Sequence, residues 1–187
     1  MEIKNILQNI TSELSACFAD LEEDQLKELE NRIQQANKIF VAGAGRSLMM
    51  IRGLAMRLMH MGFQSYVVGE TVTPAIEPGD LLIIASGSGS TGTLTVIAEK
   101  CKKIGANLAL ITTMPGSPIG KLADCIVEVK AATTKSDANT RKTFQPGANT
   151  FEQSVLLIGD AIFIHMISRV SLEKNNEILM KKHANLE

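Results

Sequence analysis

LLIIASGSGSTG is the sequence of residues 81–92, and this stretch decides the fold. Its apolar first half predicts a buried strand, and the glycines and hydroxyl residues that follow predict a tight turn into a helix. Residues 39–47 repeat the pattern as IFVAGAGRS. Glycine lets the backbone approach a ligand, and N–H groups and hydroxyls at a helix N-terminus bind anions. The two turns therefore predict a phosphate site. Because the second turn has no lysine, the site suits a small phosphorylated metabolite better than a nucleoside triphosphate.

Apolar runs alternate with helical patterns through the middle of the chain. The five runs cover residues 39–42, 65–68, 81–85, 108–112 and 125–129. Apolar residues at helical spacing follow the first and third runs. This alternation predicts an α/β fold with a parallel sheet and right-handed crossovers. In a doubly wound sheet, ligands bind beyond the carboxyl ends of the strands at the topological switch point. We expect the two turns to meet there.

The whole chain of 187 residues fits one domain with a well-buried core. Its segments are N-terminal helices at 1–37, a parallel α/β core at 38–130, a polar loop at 131–148, a C-terminal helix at 149–172 and a tail at 173–187. The narrow apolar seam of the N-terminal helices packs either on the chain's own sheet or on another subunit. The polar loop is either a mobile flap beside the ligand or a plain surface loop.

Composition excludes several classes of protein. A formal net charge of −1 argues against a nucleic-acid-binding role, which usually needs a basic patch. The three cysteines are far apart and form no metal-binding or disulfide pattern, which indicates a reducing cytosol. The N-terminal sequence does not suit a signal peptide, and no uninterrupted apolar stretch is long enough for a membrane span. We therefore expect a cytoplasmic protein without a membrane or nucleic-acid partner.

The candidate substrate-binding residues are the hydroxyl-bearing and glycine residues of the two turns. Hydroxyls would donate directly to phosphate oxygens, and the glycines would contribute backbone N–H groups. Serine and glycine are common in any turn, so the second turn strengthens the prediction. These candidates are Ser47, Ser86, Gly87, Ser88, Gly89, Ser90, Thr91 and Gly92.

The two turns resemble those of the sugar isomerase (SIS) domain, which has GRS after one strand and SGSGST after another. Longer stretches are similar to the 6-phospho-3-hexuloisomerases of the ribulose monophosphate pathway, a family of SIS-domain enzymes. These stretches are AMRLMHMGF at 55–63, VGETVTP at 68–74, QP at 145–146 followed by FEQ at 151–153, and HANLE at 183–187. The resemblance covers nearly the whole chain.

The resemblance implies a three-layer α/β/α sandwich with a five-stranded parallel sheet, of the flavodoxin-like doubly wound type. It also implies a homotetramer with active sites near subunit boundaries. The implied reaction interconverts D-arabino-3-hexulose 6-phosphate and fructose 6-phosphate, without a metal or organic cofactor. The chain departs from the family pattern at Ser90, where glutamate is usual, and at Leu48, where glycine is usual. We expect phosphate binding to survive the first change, whereas Leu48 could narrow the pocket or alter substrate preference.

Moving a carbonyl from C3 to C2 requires a base that takes the C2 proton, forms an enediol and returns the proton to C3. Glu152 is the candidate for this catalytic role, because the family's Phe-Glu motif is in register there. Its alternative role is a capping box with Asn149 at the helix start. His60 is the second catalytic candidate, polarising the carbonyl or moving the hydroxyl proton, and its alternative is a structural histidine at a helix C-terminus. His183 either reaches a neighbouring subunit's site or lies in an exposed tail.

Two other ionisable residues of the last helix have predicted structural roles. His165 is predicted to be a core residue, and Asp160 is predicted to make a buried hydrogen bond. Two functional alternatives also remain open. One is another SIS aldose–ketose isomerase, such as an arabinose 5-phosphate isomerase. The other is a non-catalytic sugar-phosphate-binding module, which would tolerate the loss of Glu152.

Overall fold

Five parallel strands form one sheet in the computed structural model, which describes residues 2–132, 143–168 and 179–186. The strand order is β2-β1-β3-β4-β5. Each strand begins and ends within one residue of an apolar run identified in the sequence. The strands are β1 (Ile39–Gly43), β2 (Ser65–Val67), β3 (Leu81–Ala85), β4 (Asn107–Thr112) and β5 (Cys125–Glu128). The predicted five-stranded parallel sheet is confirmed.

Helices cover both faces of the sheet. They are α1 (Ile3–Phe18), α2 (Glu23–Gln35), α3 (Gly45–His60), α4 (Gly92–Ile104) and α5 (Asn149–Ser168). Residues of α1, α2, α3 and α5 share one core cluster with the sheet, whereas α4 belongs to the core cluster on the opposite face. The fold is therefore the predicted three-layer α/β/α sandwich.

The central strand β3 explains why residues 81–85 form a continuous apolar run. Successive strand residues point to opposite faces, so a strand with both faces covered is apolar throughout. Leu81, Ile83 and Ala85 face the larger helical layer, and Leu82 and Ile84 face α4. All five are buried. This strand lies at the centre of the sheet and carries one of the two candidate turns at its carboxyl end.

The switch point lies between β1 and β3. From β1 the chain passes first to β2 on one side and then to β3 on the other. Gly43 of β1 is in register with Ala85 of β3, so the two strands end side by side. The helices α3 and α4 begin just beyond these ends, at Gly45 and Gly92. The two turns are therefore at the same edge of the sheet, as the sequence predicted.

The last helix is central to the packing of the larger helical layer. α5 packs along α3 and contacts α1. Gly159 permits this closeness, because an added Cβ there would lie 3.2 Å from the Leu54 Cβ. By length and composition α5 would be long enough to cross a membrane, but half of its apolar window is buried inside the fold. Its predicted extension beyond Ser168 lies outside the described residues.

The apolar seam of the N-terminal helices is buried in one part and exposed in another. Leu29 and Ile33 of α2 are fully buried, and Cys17 near the end of α1 is buried with them. Ile3 and Leu7 at the start of α1 are instead 78% and 58% exposed. The seam thus packs partly on the chain's own core and leaves an apolar end uncovered. The flap hypothesis concerns the polar segment 131–148, of which residues 133–142 lie outside the described residues.

Candidate active site

The turn after β3 is held in one conformation by hydrogen bonds at both ends. Gly89 has φ +55°, a region that glycine adopts readily, and an added Cβ would overlap the Ser117 side chain. Its N–H donates to the Ser86 carbonyl at 3.1 Å, and its carbonyl accepts from the Ile119 N–H at 3.1 Å. The path of the backbone is therefore set by the glycine and by the 113–124 connection behind it.

Neighbouring threonines fix the middle of the same turn. The Gly87 carbonyl accepts hydrogen bonds from the Thr112 and Thr113 hydroxyls, at 3.1 and 2.9 Å. It also accepts from the Thr113 N–H at 3.1 Å. With its carbonyl engaged against β4, this part of the turn is preorganised without a ligand.

The serine hydroxyls of this turn have different environments. The Ser88 Oγ accepts from the Ser90 N–H at 3.3 Å and from the Ser90 hydroxyl at 3.2 Å. The Ser86 hydroxyl is buried and has no hydrogen-bond partner among the described residues. A buried polar group without a partner costs roughly 1–3 kcal/mol. A ligand oxygen that reached this hydroxyl would give it an acceptor.

The helix starts beside the turn favour an anion. Neither α3 nor α4 has an acidic residue in its first turn or a side chain capping its N-terminus. Thr91 occupies the N-cap position of α4, and a Cβ added at Gly92 would meet open space. Neither helix start therefore carries an acidic side chain or cap of its own to offset its N–H groups and dipole. This is the charge pattern that a phosphate group requires.

An ion pair brings the predicted base to the same edge. The Arg46 Nε, in the first turn of α3, lies 2.6 Å from the Glu152 Oε2. The Glu152 side chain is 14% exposed, and the Arg46 side chain is 54% exposed. Because α5 begins at Asn149 itself, Asn149 is not the cap residue of the proposed capping box, and the carboxylate of Glu152 contacts another helix. Ser47 lies beside Arg46 in α3, so the structure brings Glu152 to the first turn.

His60 lies at the other end of α3. It is the last residue of this helix, thirteen positions after Ser47, which corresponds to about 20 Å along a helix. One chain therefore does not bring His60 and Glu152 into the same site. His60 is 5% exposed and stacks on His183, with ring centroids 5.7 Å apart. Burial, and then the electrostatic effects of Arg57 and His183, lower the pKa of His60 below its ordinary 6.5, so its ring is neutral at pH 7.

The structure also tests the predictions made for Leu48, His165 and Asp160. Leu48 packs against the core cluster, so its bulk is accommodated inside the larger helical layer. His165 is not a core residue: its side chain is 52% exposed, and its Nδ1 lies 2.6 Å from the Glu30 Oε2. Asp160 does not make the predicted buried hydrogen bond: its side chain is 38% exposed, and its Oδ1 forms an ion pair with the Arg57 Nε at 3.6 Å. The apolar character of α5 on most sides misled both predictions.

The sequence did not identify the partner of Arg46. Its position after the glycine of the first turn is a local signal for an anion site, but Glu152 lies 106 positions away. No pattern within either segment links the two residues. Among the described residues, no group of three or more histidine, cysteine, aspartate or glutamate side chains is arranged for metal binding.

Comparisons with known proteins identify the family of the chain. The SIS domain family model matches residues 32–149. The chain is 41% identical to the 3-hexulose-6-phosphate isomerase of Mycobacterium gastri, over 100% of this chain and 92% of that protein. It is 38% identical to the enzyme of the same name from Bacillus subtilis, over the full length of both.

A solved structure is similar over the same range. It is a Methanococcus jannaschii protein whose structure inferred a function of 3-hexulose-6-phosphate isomerase. It is 34% identical, with a TM-score of 0.83 over 98% of this chain and 99% of that one. The family match, the full-length identity and the common fold agree, and the chain belongs to the SIS-domain family of 3-hexulose-6-phosphate isomerases.

Proposed function

We propose that this protein is an isomerase that interconverts D-arabino-3-hexulose 6-phosphate and fructose 6-phosphate through an enediol, as in the ribulose monophosphate pathway. One observation supports this proposal most strongly. A largely buried carboxylate, Glu152, lies at the same sheet edge as a serine-rich turn and two helix starts that have no acidic residue of their own. A sugar phosphate bound through its phosphate group at the turn would place its carbon chain beside the Glu152 carboxylate.

The phosphate is held by the second turn and steadied by the first. Ser86, Ser88 and Thr91 donate hydroxyls, and the backbone at Gly87 and Gly89 contributes N–H groups. Ser47 donates from the start of α3. The buried and unpartnered Ser86 hydroxyl supports this assignment, because a phosphate oxygen would give it an acceptor. Ser90, Gly92 and the N-terminus of α4 complete the cradle.

Glu152 moves the proton between carbons. As a carboxylate it takes the proton from C2 of the 3-ketose and returns it to C3, so that one group works on one face of the enediol. Only 14% of its side chain is exposed, so little water contacts the carboxylate. Arg46 orients the carboxylate and supplies positive charge where the enediolate oxygens develop theirs.

His60 acts in the site of a neighbouring subunit, where its neutral ring moves the proton between the two oxygens. The separation of His60 from Glu152 within one chain supports this arrangement. Association also accounts for the exposed apolar side chains of α1 and α3, which are Ile3, Leu7, Met49, Met56 and Met59. We extend the proposal to a homotetramer.

The protein acts in the cytoplasm. Its cysteines Cys17, Cys101 and Cys125 are buried and carry reduced thiols. Burial raises the pKa of both Cys101 and Cys125 to about 11, so their thiols stay protonated and unreactive. Reduced thiols of this kind suit a reducing compartment.

A substrate comparison tests the proposed function. Fructose 6-phosphate formation is followed with D-arabino-3-hexulose 6-phosphate, and ribulose 5-phosphate formation with arabinose 5-phosphate in parallel. We expect turnover of the first substrate only. Turnover of only the second would assign an aldose–ketose isomerase, and binding of both without turnover would assign a non-catalytic module.

A further inference from the structure

Glu13, on the inner side of α1, is surrounded by donors from one short segment. Its Oε2 accepts from the Thr143 hydroxyl at 2.8 Å and from the Gln145 Nε2 at 3.0 Å. Its Oε1 accepts from the Phe144 N–H at 3.2 Å. The Thr150 hydroxyl, in the first turn of α5, donates to Oε2 at 3.2 Å. Four donors from residues 143–150 thus converge on one carboxylate.

These partners require an ionised acceptor. A carboxylate offers only acceptor sites, and all four groups around Glu13 donate. Burial alone would raise the pKa of Glu13. The hydrogen bonds from Gln145, Thr143, Phe144 and Thr150 outweigh burial and lower the pKa below its ordinary 4.5. In a Glu13→Gln variant, the side-chain N–H₂ group would face other donors and would accept no hydrogen bond from them.

Glu13 and Arg46 contact α5 from opposite sides. Thr150 and Glu152 are two positions apart, so on a helix they point in nearly opposite directions. Thr150 faces α1 through Glu13, and Glu152 faces α3 through Arg46. The Ser154 hydroxyl, one turn after Thr150, lies 3.9 Å from the Cys17 Sγ of α1. The rotation of the start of α5, which aims Glu152, is therefore set jointly by α1 and α3.

We infer that Glu13 is a positioning residue for Glu152: by binding residues 143–150 it fixes the first turn of α5 and thereby aims the base. This inference rests on the proposed function. The phosphate turn is fixed separately, by Thr112 and Thr113. Loss of Glu13 should therefore lower kcat without a matching rise in KM, since small misplacements of a reacting group lower rates steeply.

The test compares Glu13→Gln, Thr150→Val, the double variant and Glu28→Gln as a matched control. Glu28 also accepts a hydrogen bond from an arginine, at 2.7 Å, but lies on α2 away from the site. All variants are assayed below their melting temperatures. We expect kcat to fall about tenfold in Glu13→Gln with KM within about twofold. The double variant should lose no more than the larger single loss, because both changes break one connection.

Hydrogen exchange at residues 143–152 provides a readout that does not depend on turnover. Faster exchange in Glu13→Gln than in the control is expected. Unchanged exchange, a wild-type kcat in Glu13→Gln, or multiplicative losses in the double variant would overturn the inference. A wild-type protein without turnover would instead contradict the proposed function. The exchange experiment would then still decide whether Glu13 orders the start of α5.

Discussion

The Ser86 hydroxyl is proposed to bind the substrate phosphate at a cost in stability. It is buried at the carboxyl end of β3 with no partner among the described residues. Ser86→Ala removes this unsatisfied group, so we expect the melting temperature to stay the same or rise slightly. We expect KM to rise roughly tenfold, since a hydrogen bond to a charged group contributes about 1.5–3 kcal/mol.

Thermal unfolding and steady-state kinetics on the same preparation check the Ser86 prediction. Ser65→Ala is the matched control, because the Ser65 hydroxyl is also buried without a partner but lies at the start of β2. Its KM should not change. A lower melting temperature with an unchanged KM in Ser86→Ala would assign Ser86 a purely structural role.

At the scale of secondary structure, the strands were predictable and the long-range pairs were not. The central strands β1, β3 and β4 are buried on both faces, so their sequences are continuous apolar runs, whereas the edge strands β2 and β5 are only partly buried. Arg46 and Glu152 meet only because α3 and α5 pack together, and neither residue's local sequence carries that information. Glu13 was missed for the same reason, since its partners begin 130 positions later.

The turn after β3 depends on Gly89. Gly89→Ala should destabilise the protein by roughly 1–3 kcal/mol, because positive φ is unfavourable for alanine and strain of this kind has about that size. The added Cβ would also overlap Ser117. We expect a large loss of activity with this loss of stability, measured by denaturant unfolding and turnover.

Gly92→Ala is the control for the Gly89 variant, since its added Cβ meets open space and it lies at the start of α4. Its stability should be unchanged or higher, as alanine is the better helix former by about 1 kcal/mol. Equal stability of the two variants would mean that the turn does not need glycine at position 89.

At the scale of the whole molecule, the direction of α3 was decisive. A helix that follows a parallel strand begins at the carboxyl edge of the sheet and ends at the opposite edge. The sequence predicted α3 and candidate site residues at both of its ends. It assigned His60 and Glu152 to one site, however, without applying this geometry. The structure places them at opposite ends. The proposed sharing of sites between subunits would reconcile both roles.

Mixed oligomers test the shared sites. His60→Asn and Glu152→Gln homo-oligomers should each be nearly inactive. After denaturation and refolding together in equal amounts, about one quarter of the wild-type activity should return, because random assembly unites one intact residue of each kind in about a quarter of the sites. Mixtures that remain inactive would contradict a site that takes His60 and Glu152 from different subunits, and an active His60→Asn oligomer would place His60 outside the site.

The most direct test of the central claim is turnover of D-arabino-3-hexulose 6-phosphate by Glu152→Gln, with fructose 6-phosphate binding measured on the same variant. The account predicts that product binding stays within a few-fold of wild type, because the phosphate cradle is intact. It also predicts that kcat falls by a factor on the order of 10²–10⁴, the usual contribution of a general base. Undiminished turnover in a variant that binds product normally would contradict the account and leave Glu152 as a structural partner of Arg46.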